Sequence, residues 1–521
     1  MNVAHLLISQ STLRPRAPAI VERSGRRSRS ITFESLDVRS AQASAMLSAR
    51  GIGAGDAVLV FVPMSIELYV ALIALLRIGA VATFLDPSAG REHISRCCEI
   101  LPPAGMIAIS RAHLLRLTTP ALRIIRRSFT VGFPLPGADR WEHLTRHAPF
   151  VQITPRASDD GALVTFTSGS TGRPKAAVRS HGFLAAQHAA LQPAIDLAPG
   201  QVDLATLPIF TLVNLASGVT SVIADTDLKR PGSVRPAPVL RQVLEHHVTR
   251  TVASPAFLEC LLKSPSVVPA MQKLDRVYTG GAPIFPGLMK RLQQALPQAQ
   301  VVAVYGSTEA EPIAHVAWQD ITAQDLAAMF NGRGLLAGHP DPQIDLRIVR
   351  ATWGQPLANM TCEQLNSITC TEAEPGEIVV TGPHVLRGYL NGEGDSQTKC
   401  SVDGNVWHRT GDAGYLDERG RLWLLGRAQA KIVDEHGTLY PFTVECAASQ
   451  NQGLRRSALV QHQGKRLLVV EADNGASSHL LQQITDTLAW ARLHEVRLIR
   501  RIPVDKRHNA KIDYAALHRL L

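Results

Sequence analysis

Short apolar runs alternate with amphipathic segments through most of the N-terminal half of the chain. Residues 58–62 and 80–85 predict buried strands, and the segment from Ile66 to Arg77 between them predicts a helix. The same cycle returns at residues 161–165, 202–208, 251–253, 276–278 and 301–305. This alternation predicts parallel α/β layers, in which ligands bind at the carboxyl ends of the strands.

The pattern changes after residue 375. Residues 377–381, 413–416 and 421–425 predict short strands with glycine turns between them, which favours an antiparallel, barrel-like subdomain. We therefore predict an α/β fold with two domains. Residues 1–426 would form a large, multi-layered N-terminal domain with parallel sheets, and residues 427–521 a small, mobile α+β lid.

Composition narrows the class of protein. The chain has 521 residues, of which 45% are hydrophobic and 19% charged, and this excludes coiled-coil and disordered chains. The seven cysteines form no C-x-x-C pair, and the N-terminus shows no signal peptide, so we expect reduced thiols and a cytoplasmic location. Residues 68–85 are interrupted by Arg77 and Gly79, which favours a buried helix and strand over a membrane span.

The net charge of +10 raises the possibility of an anionic partner. Aromatic residues make up only 5% of the chain, so we expect no nucleic-acid partner. The densest basic stretch holds Arg23, Arg26, Arg27 and Arg29. We interpret it as a solvated loop, with an anionic surface or an acyl-carrier protein as the alternative. Peripheral contact with a membrane stays compatible with the sequence.

A loop rich in small residues follows the predicted strand 162–166. It comprises Thr167, Ser168, Gly169, Ser170, Thr171, Gly172, Arg173, Pro174 and Lys175. Its backbone N–H groups and hydroxyls can surround a phosphate chain, and Lys175 adds a cation. Pro174 stands where a Walker loop requires glycine, so this is a different phosphate loop.

This loop resembles the signature of the adenylate-forming superfamily, which includes acyl-CoA synthetases, luciferases and peptide-synthetase adenylation domains. Further motifs follow in the family's order and extend the resemblance over nearly the whole chain. The run Tyr305, Gly306, Ser307, Thr308 and Glu309 resembles the motif whose aromatic ring stacks on adenine. In that motif the threonine contacts the α-phosphate and the glutamate binds Mg²⁺.

Four other motifs carry family roles by the same resemblance. Gly280, Gly281 and Ala282 resemble the loop that lines the adenine and acyl pockets. Asp412 resembles the residue that holds the ribose hydroxyls, and Arg427 the hinge residue that also reaches the ribose. Lys511 resembles the lysine that the C-terminal loop delivers to the forming adenylate. ATP and Mg²⁺ are therefore the implied ligands, with CoA as a further candidate.

The chemistry needs these residue types. Attack of a carboxylate on the α-phosphorus of ATP gathers negative charge, which a divalent metal, hydrogen-bond donors and a mobile cation can stabilise. Glu309, Thr308 and Lys511 would supply one of each. A non-catalytic nucleotide-binding protein is the alternative from another class, but binding alone does not require Lys511.

Three positions depart from the acyl-CoA synthetase pattern. Thr211 stands where an aromatic residue or histidine usually gates the acyl pocket, Gln429 replaces the hinge aspartate, and Val433 replaces the lysine of the thioester-forming conformation, with Lys431 nearby. In these departures the chain resembles the β-lactone synthetases of bacterial olefin pathways. The resemblance extends to Gly437, Pro441, Glu445, Cys446 and residues 503–511. Residues 305–311 differ from that branch, because they contain Ser307 and Glu311.

The acyl pocket is expected to be apolar. Its candidate residues are Ile209, Phe210, Thr211 and Gly281, with Leu212, Leu215, Val219 and Phe257 as further candidates. We predict an AMP-forming ligase that activates a medium- or long-chain aliphatic acid and transfers it to CoA or a carrier thiol. The alternative is a β-lactone synthetase, in which the hydroxyl of a 2-alkyl-3-hydroxy acid displaces AMP without CoA. Acyl-carrier protein and pathway enzymes are the candidate protein partners.

Overall fold

The computed structural model describes residues 1–25, 27–86, 89–168, 173–350, 353–473, 478–505 and 511–521. The chain folds into two compact units. The first comprises residues 1–225 and 383–396, and the second comprises residues 226–382 and 397–521. The predicted lid of residues 427–521 belongs to the second unit, and its boundary stays a prediction.

The first unit is an α/β assembly. Its helices are α1 (Ala4–Leu13), α2 (Phe33–Ala49), α3 (Ile66–Arg77), α4 (Arg91–Ile100), α5 (Leu115–Thr118), α6 (Pro120–Arg123), α7 (His181–Ala194) and α8 (Pro208–Ser217). Its strands are β1 (Pro18–Ser24), β2 (Arg27–Thr32), β3 (Ala57–Phe61), β4 (Val81–Phe84), β5 (Gly105–Ile109), β6 (Arg127–Val131), β7 (Asp139–Arg140), β8 (Gly161–Ser168), β9 (Pro174–Ser180), β10 (Val202–Ala205) and β11 (Thr220–Ile223). Seven strands form a sheet in the order β7-β6-β5-β3-β4-β8-β9, in which β9 alone is antiparallel to its neighbour. Four others run in the order β10-β11-β1-β2.

The second unit begins with parallel strands and continues with antiparallel ones. Its helices are α9 (Pro236–Glu245), α10 (Pro255–Leu262), α11 (Val267–Met271), α12 (Pro286–Ala295), α13 (Ala323–Ala328), α14 (Cys362–Ile368), α15 (Asp395–Thr398, where the chain returns from the first unit), α16 (Pro441–Ala448), α17 (Ser478–Thr487) and α18 (Tyr514–Leu520). Its strands are β12 (Arg250–Ala253), β13 (Arg276–Gly280), β14 (Gln300–Ser307), β15 (Ala310–Ala317), β16 (Leu335–Pro340), β17 (Asp345–Val349), β18 (Gly376–Thr381), β19 (Lys399–Val402), β20 (Asn405–Leu416), β21 (Leu422–Arg427), β22 (Ile432–Asp434), β23 (Gly437–Leu439), β24 (Leu454–His462), β25 (Lys465–Ala472) and β26 (Glu495–Leu498). Nine of these strands run in the order β12-β13-β14-β15-β16-β21-β20-β18-β17, with β19 paired to β20. Strands β22 and β23 form a separate hairpin, and β24, β25 and β26 a separate sheet.

Helix α3 shows why the first unit folds as its sequence predicts. The Ser65 side chain accepts the N–H of Leu68, which caps the first turn, and Glu67 and Arg77 complement the helix dipole at the two ends. Every residue of α3 except Glu67 is buried, so the apolar run is a core helix. Among the described residues, no helix combines the length and hydrophobicity that crossing a bilayer requires.

The C-terminal sheet β24-β25-β26 has a core on each face. Because side chains alternate along a strand, Leu459 and Leu468 pack with α16 and α17, whereas Val460 and Leu467 pack with Leu517 of α18. Burial on both faces fixes the register, since a shift by one residue would exchange the two faces. This sheet therefore holds α16 and α18 in defined positions.

The predicted α/β class and the antiparallel region after residue 375 are confirmed. The antiparallel strands form an open sheet, and the described residues contain no closed barrel. The run at residues 202–208 is strand only to Ala205, because Pro208 occupies the first turn of α8. All seven cysteines are free, and in the basic stretch Arg29 pairs with Glu22 and Glu67, while Arg26 lies outside the described residues.

Candidate functional site

The phosphate loop connects two antiparallel strands of the first unit. Ser168 at the end of β8 is in register with Pro174 at the start of β9, and Thr167 with Lys175. Gly169, Ser170, Thr171 and Gly172, which the sequence assigns to phosphate binding, lie outside the described residues. The structure shows how the two ends of this loop are held, because the pairing of β8 with β9 fixes where the chain leaves and re-enters the sheet.

Lys175 is held inside the first unit. Its side chain is only 8% exposed, and its ammonium lies 5.6 Å from the centroid of the Tyr389 ring. Gly394 approaches so closely that a Cβ there would lie 2.3 Å from the Lys175 Nζ. Tyr389 in turn donates its backbone N–H to Asp395 at 2.9 Å. The segment 389–395 therefore fixes the direction of the Lys175 side chain.

The glycine loop follows the carboxyl end of β13 in the second unit. Gly280 is in register with Val304 of β14, and a Cβ on Gly280 would lie 2.9 Å from the Val304 carbonyl oxygen. Gly281 has a positive φ of +83°, which favours glycine. The Gly280–Ala282 loop and Tyr305 consequently emerge side by side at one edge of the parallel strands, where α/β sheets bind ligands.

Tyr305, Asp412 and Arg427 form a connected group. The Tyr305 hydroxyl donates to the Asp412 Oδ2 at 2.8 Å, and an Arg427 Nη1 lies 3.3 Å from the Asp412 Oδ1. Asp412 and Arg427 are partners in the β20–β21 register, and Arg427 also donates to the Thr410 carbonyl at 3.1 Å. Burial and Asp412 raise the pKa of Tyr305, and Asp412 raises the pKa of Arg427. An acceptor carboxylate is thereby held beside an aromatic ring.

Thr308 and Glu309 form the two-residue turn between β14 and β15. Ser307 pairs with Ala310 across this turn, and the Ser307 hydroxyl accepts the Glu309 N–H at 3.2 Å. Gly306 permits the close approach of the Ala310 carbonyl. A single half-buried carboxylate on a turn fits Mg²⁺, which binds through one or two carboxylates together with substrate phosphates.

Lys511 is joined to Asp505 through its backbone. Its N–H donates to the Asp505 carboxylate at 3.1 Å, and its carbonyl accepts the Asp505 N–H at 2.9 Å. Burial and Arg427 lower the pKa of Lys511, whereas Asp412, Asp505 and Glu309 oppose that effect. The ammonium therefore lies in electrostatic range of the Asp412 and Glu309 carboxylates, although residues 506–510 are outside the described ranges.

A buried glutamate anchors the segment that follows Lys511. One carboxylate oxygen of Glu445 in α16 accepts the Leu459 N–H at 3.0 Å and the Tyr514 hydroxyl at 3.3 Å. Burial raises the pKa of Glu445 to about 7 and also raises that of Tyr514. Sequence reasoning missed Tyr514, whose position three residues after Lys511 was the available signal.

The strand that carries Asp412 contains a second buried feature. The Arg409 guanidinium forms a fully buried ion pair with Glu377, with Nη2 and Oε2 2.5 Å apart, and stacks on Trp353. His408 is also buried, and desolvation together with Lys399 lowers its pKa to about 3, so it is neutral near the Glu309 carboxylate. Neither Arg409 nor His408 was a predicted site residue, although they lie three and four residues before Asp412.

Helix α8 carries most of the predicted acyl-pocket residues. Phe210, Leu212 and Leu215 are buried, Ile209 is partly exposed, and Thr211 is fully buried next to the Tyr69 hydroxyl. Within α8, Asn214 donates to Asp203 at 2.9 Å and to Ser221 at 3.0 Å, all three being fully buried. These contacts fix the orientation of α8 within the first unit.

The predicted hinge is a short 3₁₀ turn at Ala428–Ala430. Gln429 and Lys431 are exposed, and Val433 is 60% exposed. Lys431 borders a cavity of about 320 Å³ together with Trp353 and Tyr440. Lys431 thus borders a cavity, whereas the Val433 side chain is largely exposed. The sequence alone did not show this difference.

In the second unit the structure brings together Tyr305, Glu309, Asp412, Arg427 and Lys511, which come from four separate motifs. Chemically, the group offers an aromatic face, two carboxylates and two cations, with Tyr305, Asp412 and Arg427 in direct contact. Such an arrangement can bind a nucleotide and stabilise negative charge that develops on it.

Comparison with known proteins identifies the family to which the chain belongs. A family model described as AMP-binding enzyme matches residues 8–390. The olefin beta-lactone synthetase of Stenotrophomonas maltophilia is 33% identical over 92% of this chain and 89% of its own length. That of Xanthomonas campestris is 31% identical with the same coverage. The 4-coumarate–CoA ligase 2 of rice, Oryza sativa, is 24% identical over 94% of this chain and 87% of its own.

Solved structures resemble this one over its full length. The amide bond synthetase McbA from Marinactinospora thermotolerans has a TM-score of 0.80 at 22% identity and covers 100% of this chain and 99% of its own. ATP-bound MatB from Rhodopseudomonas palustris has a TM-score of 0.81 at 21% identity, with the same coverage. At these identities the likeness establishes the fold, which these enzymes share.

Proposed function

Because the chain belongs to the AMP-binding enzyme family, we propose that it activates an aliphatic 3-hydroxy acid as its acyl-adenylate and closes that intermediate to a β-lactone. The observation that carries this proposal is the pair of olefin beta-lactone synthetase relatives, at 33% and 31% identity over nine tenths of the chain. The CoA ligase from rice is more distant, at 24%.

Two departures from the CoA ligase pattern support the same choice. Thr211 replaces the gating residue of the acyl pocket, and Gln429 replaces the hinge aspartate. A reaction that uses the substrate's own hydroxyl needs neither a thiol tunnel nor a separate thioester-forming conformation. Substitutions at these two positions are therefore tolerable in a lactone-forming enzyme, although they would weaken a CoA ligase.

In the first step, a carboxylate oxygen of the acid bonds to the α-phosphorus of ATP, and the bond to pyrophosphate breaks. Lys511, in electrostatic range of Asp412 and Glu309, would stabilise the charge that develops on the α-phosphate. Asp412, oriented by Tyr305 and Arg427, would hold the ribose hydroxyls. Glu309 would hold Mg²⁺, which supplies charge neutralisation on the phosphates when bound.

In the second step, the 3-hydroxyl oxygen of the same molecule attacks the acyl carbon. The new C–O bond closes a four-membered ring, the bond from the acyl carbon to the AMP oxygen breaks, and the hydroxyl proton is released. AMP leaves with one oxygen of the original carboxylate. Since the nucleophile is already attached, proximity replaces a second substrate.

The chain's apolar candidates favour a medium- or long-chain acid. Phe210, Leu212 and Leu215 on α8 provide large aliphatic and aromatic surfaces, and residues 208–221 contain no acidic side chain to hold an amino group. Burial of each methylene of the substrate would contribute about 0.8 kcal/mol, so longer chains gain affinity.

The test is a mass-spectrometric product survey with ATP and Mg²⁺. Plain fatty acids and 2-alkyl-3-hydroxy acids are supplied with and without CoA, and a Lys511→Ala variant serves as the control. A β-lactone and AMP formed without CoA is the expected result. Acyl-CoA formed from both acids only when CoA is present would overturn lactone formation and assign the thioester-forming activity instead.

A further inference from the structure

Four large apolar side chains protrude from one short stretch of the first unit. Leu114 is 59% exposed, Leu117 71%, Ile124 78% and Phe133 84%. Scattered single exposures of this kind are ordinary on a protein surface, but a group of four within twenty residues calls for an explanation. We name these residues, together with Arg111 and Arg126, the 111–133 surface.

The opposite side of the same stretch is well packed. Leu122 and Ile125 are 0% and 3% exposed and belong to a core cluster with Leu59 and Met106, and Leu115 packs against that cluster. The 3₁₀ turn Ser110–Leu114 and the short helices α5 and α6 therefore have a defined inner face. Leu117 and Ile124 are left outside by this packing.

Hydrogen bonds connect the segments that carry these side chains. The Arg123 guanidinium in α6 donates to the Leu117 carbonyl of α5 at 2.8 Å. The Ser110 hydroxyl donates to the Phe133 carbonyl at 2.8 Å, which places the Phe133 turn at the start of the 3₁₀ turn. The segments that carry the exposed apolar side chains are thus joined to one another, α5 to α6 and the Phe133 turn to the start of the 3₁₀ turn.

The surface is basic. Residues 100–138 contain five arginines and no aspartate or glutamate. Arg111, Arg123 and Arg126 are exposed, whereas Arg127 lies 3.9 Å from Asp56. Acidic groups from outside this stretch come near it at Asp56 and at Glu142, whose carboxylate accepts the Gly132 N–H at 2.9 Å.

We infer that the 111–133 surface docks the protein onto an anionic lipid bilayer. Apolar side chains that enter the headgroup boundary, surrounded by arginines that contact lipid phosphates, are the combination that holds peripheral proteins on membranes. Separate protruding tips suit a bilayer, which has no fixed shape, better than a folded partner, which would require a complementary groove. The inference is independent of the second reaction step, because binding does not involve catalysis.

The experiment is flotation of the purified full-length protein with vesicles. The probes are phosphatidylcholine vesicles with and without phosphatidylglycerol, at low and high salt. We expect flotation with the anionic vesicles, little with phosphatidylcholine alone, and loss of binding as salt screens the arginines. Absence of flotation with anionic vesicles, or equal flotation with both, overturns the inference.

Matched variants locate the contact. Leu117→Ser with Ile124→Ser should lower the partition coefficient at least tenfold, and Arg111→Gln and Arg126→Gln about fivefold each. The control is Leu13→Ser with Val151→Ser, which removes apolar side chains of similar exposure, 72% and 78%, elsewhere in the same unit. Equal losses in control and test variants would contradict a specific surface.

Two further outcomes separate other partners from lipid. If the Leu117 and Ile124 variants float normally but lose co-elution with an acyl-carrier protein, the surface serves a protein and the inference is wrong. If they instead convert an oligomer to a monomer, the surface joins two copies of this chain. ATP–pyrophosphate exchange with a water-soluble acid checks that each variant is folded. If the wild-type protein shows no such exchange, that result counts against the proposed function and not against membrane binding.

Discussion

The two predicted site lysines are held in different ways. Lys175 lies 5.6 Å from the centre of the Tyr389 ring and against Gly394, contacts made within the first unit. Lys511 is fixed by backbone bonds to Asp505, and its ammonium lies near the Arg427 guanidinium and two carboxylates. One lysine therefore has a rigid, largely apolar support, and the other a polar one.

The difference teaches how each lysine can act. Lys175 is held in a fixed direction by Tyr389 and Gly394, which suits binding of a polyphosphate. Lys511 depends on two described neighbours, Asp505 through its backbone bonds and Tyr514 through the bond to Glu445. Its position is consequently sensitive to substitutions at Asp505, Glu445 and Tyr514.

Removal of the Lys511 ammonium should have the largest effect. Lys511→Ala is expected to lower the adenylation rate by about 10²–10³-fold, because one preorganised cation is lost from the transition state. Measurement of ATP–pyrophosphate exchange gives the rate, and Lys511→Arg keeps the charge as a control. Exchange at the wild-type rate in the alanine variant would remove Lys511 from the mechanism.

The second prediction concerns the Glu445 anchor. The pKa of Glu445 is raised from 4.5 to about 7, so the folded state resists its ionisation. The free energy of unfolding should fall as pH rises from 4.5 to 7, by up to about 3 kcal/mol, since one pKa unit corresponds to about 1.4 kcal/mol.

Glu445→Gln keeps the oxygen that accepts the Leu459 and Tyr514 bonds but cannot ionise. The two proteins should therefore be equally stable at pH 4 and should diverge above it, with the variant more stable at pH 8. Denaturant unfolding at several pH values measures the difference. A constant difference across this range would mean that Glu445 ionises normally in the folded protein.

The third prediction tests the polar support of Lys511. Asp505→Ala removes the carboxylate that accepts the Lys511 N–H and should slow adenylation about tenfold, the value of one lost hydrogen bond. Asp505→Asn retains an acceptor oxygen and should stay near the wild-type rate. If Asp505→Asn slows adenylation as much as Asp505→Ala does, the carboxylate acts through its charge and not through this bond.

The smallest effect is expected at the support of Lys175. Tyr389→Leu removes the ring beneath the ammonium and should raise the KM for ATP two- to fivefold, because a cation–π contact contributes about 0.5–1 kcal/mol. Tyr389→Phe keeps the ring and should leave KM unchanged. A larger loss in the phenylalanine variant would show that the hydroxyl, and not the ring, supports this part of the site.

Much of the fold follows from local pattern. The strands near Val58 and Val301 and the helix Ile66–Arg77 lie where hydrophobic periodicity predicts them, because burial of one face needs a matching period. Helix α17 ends at Thr487 and is followed by a 3₁₀ turn at Ala489–Ala491. Ends of elements depend on packing partners that a short sequence window does not contain.

The sequence by itself determined the family, through motifs whose glycines, hydroxyls and charges stand in a fixed order. It identified Tyr305, Asp412 and Lys511 as site candidates, because each lies in a recognisable motif. Only the tertiary structure decided what supports them, as when Tyr305 bonds Asp412 across 107 residues and Tyr514 bonds Glu445 across 69. The physical reason is that motifs record local backbone and chemistry, whereas positions and pKa values are set by neighbours that folding brings from distant parts of the chain.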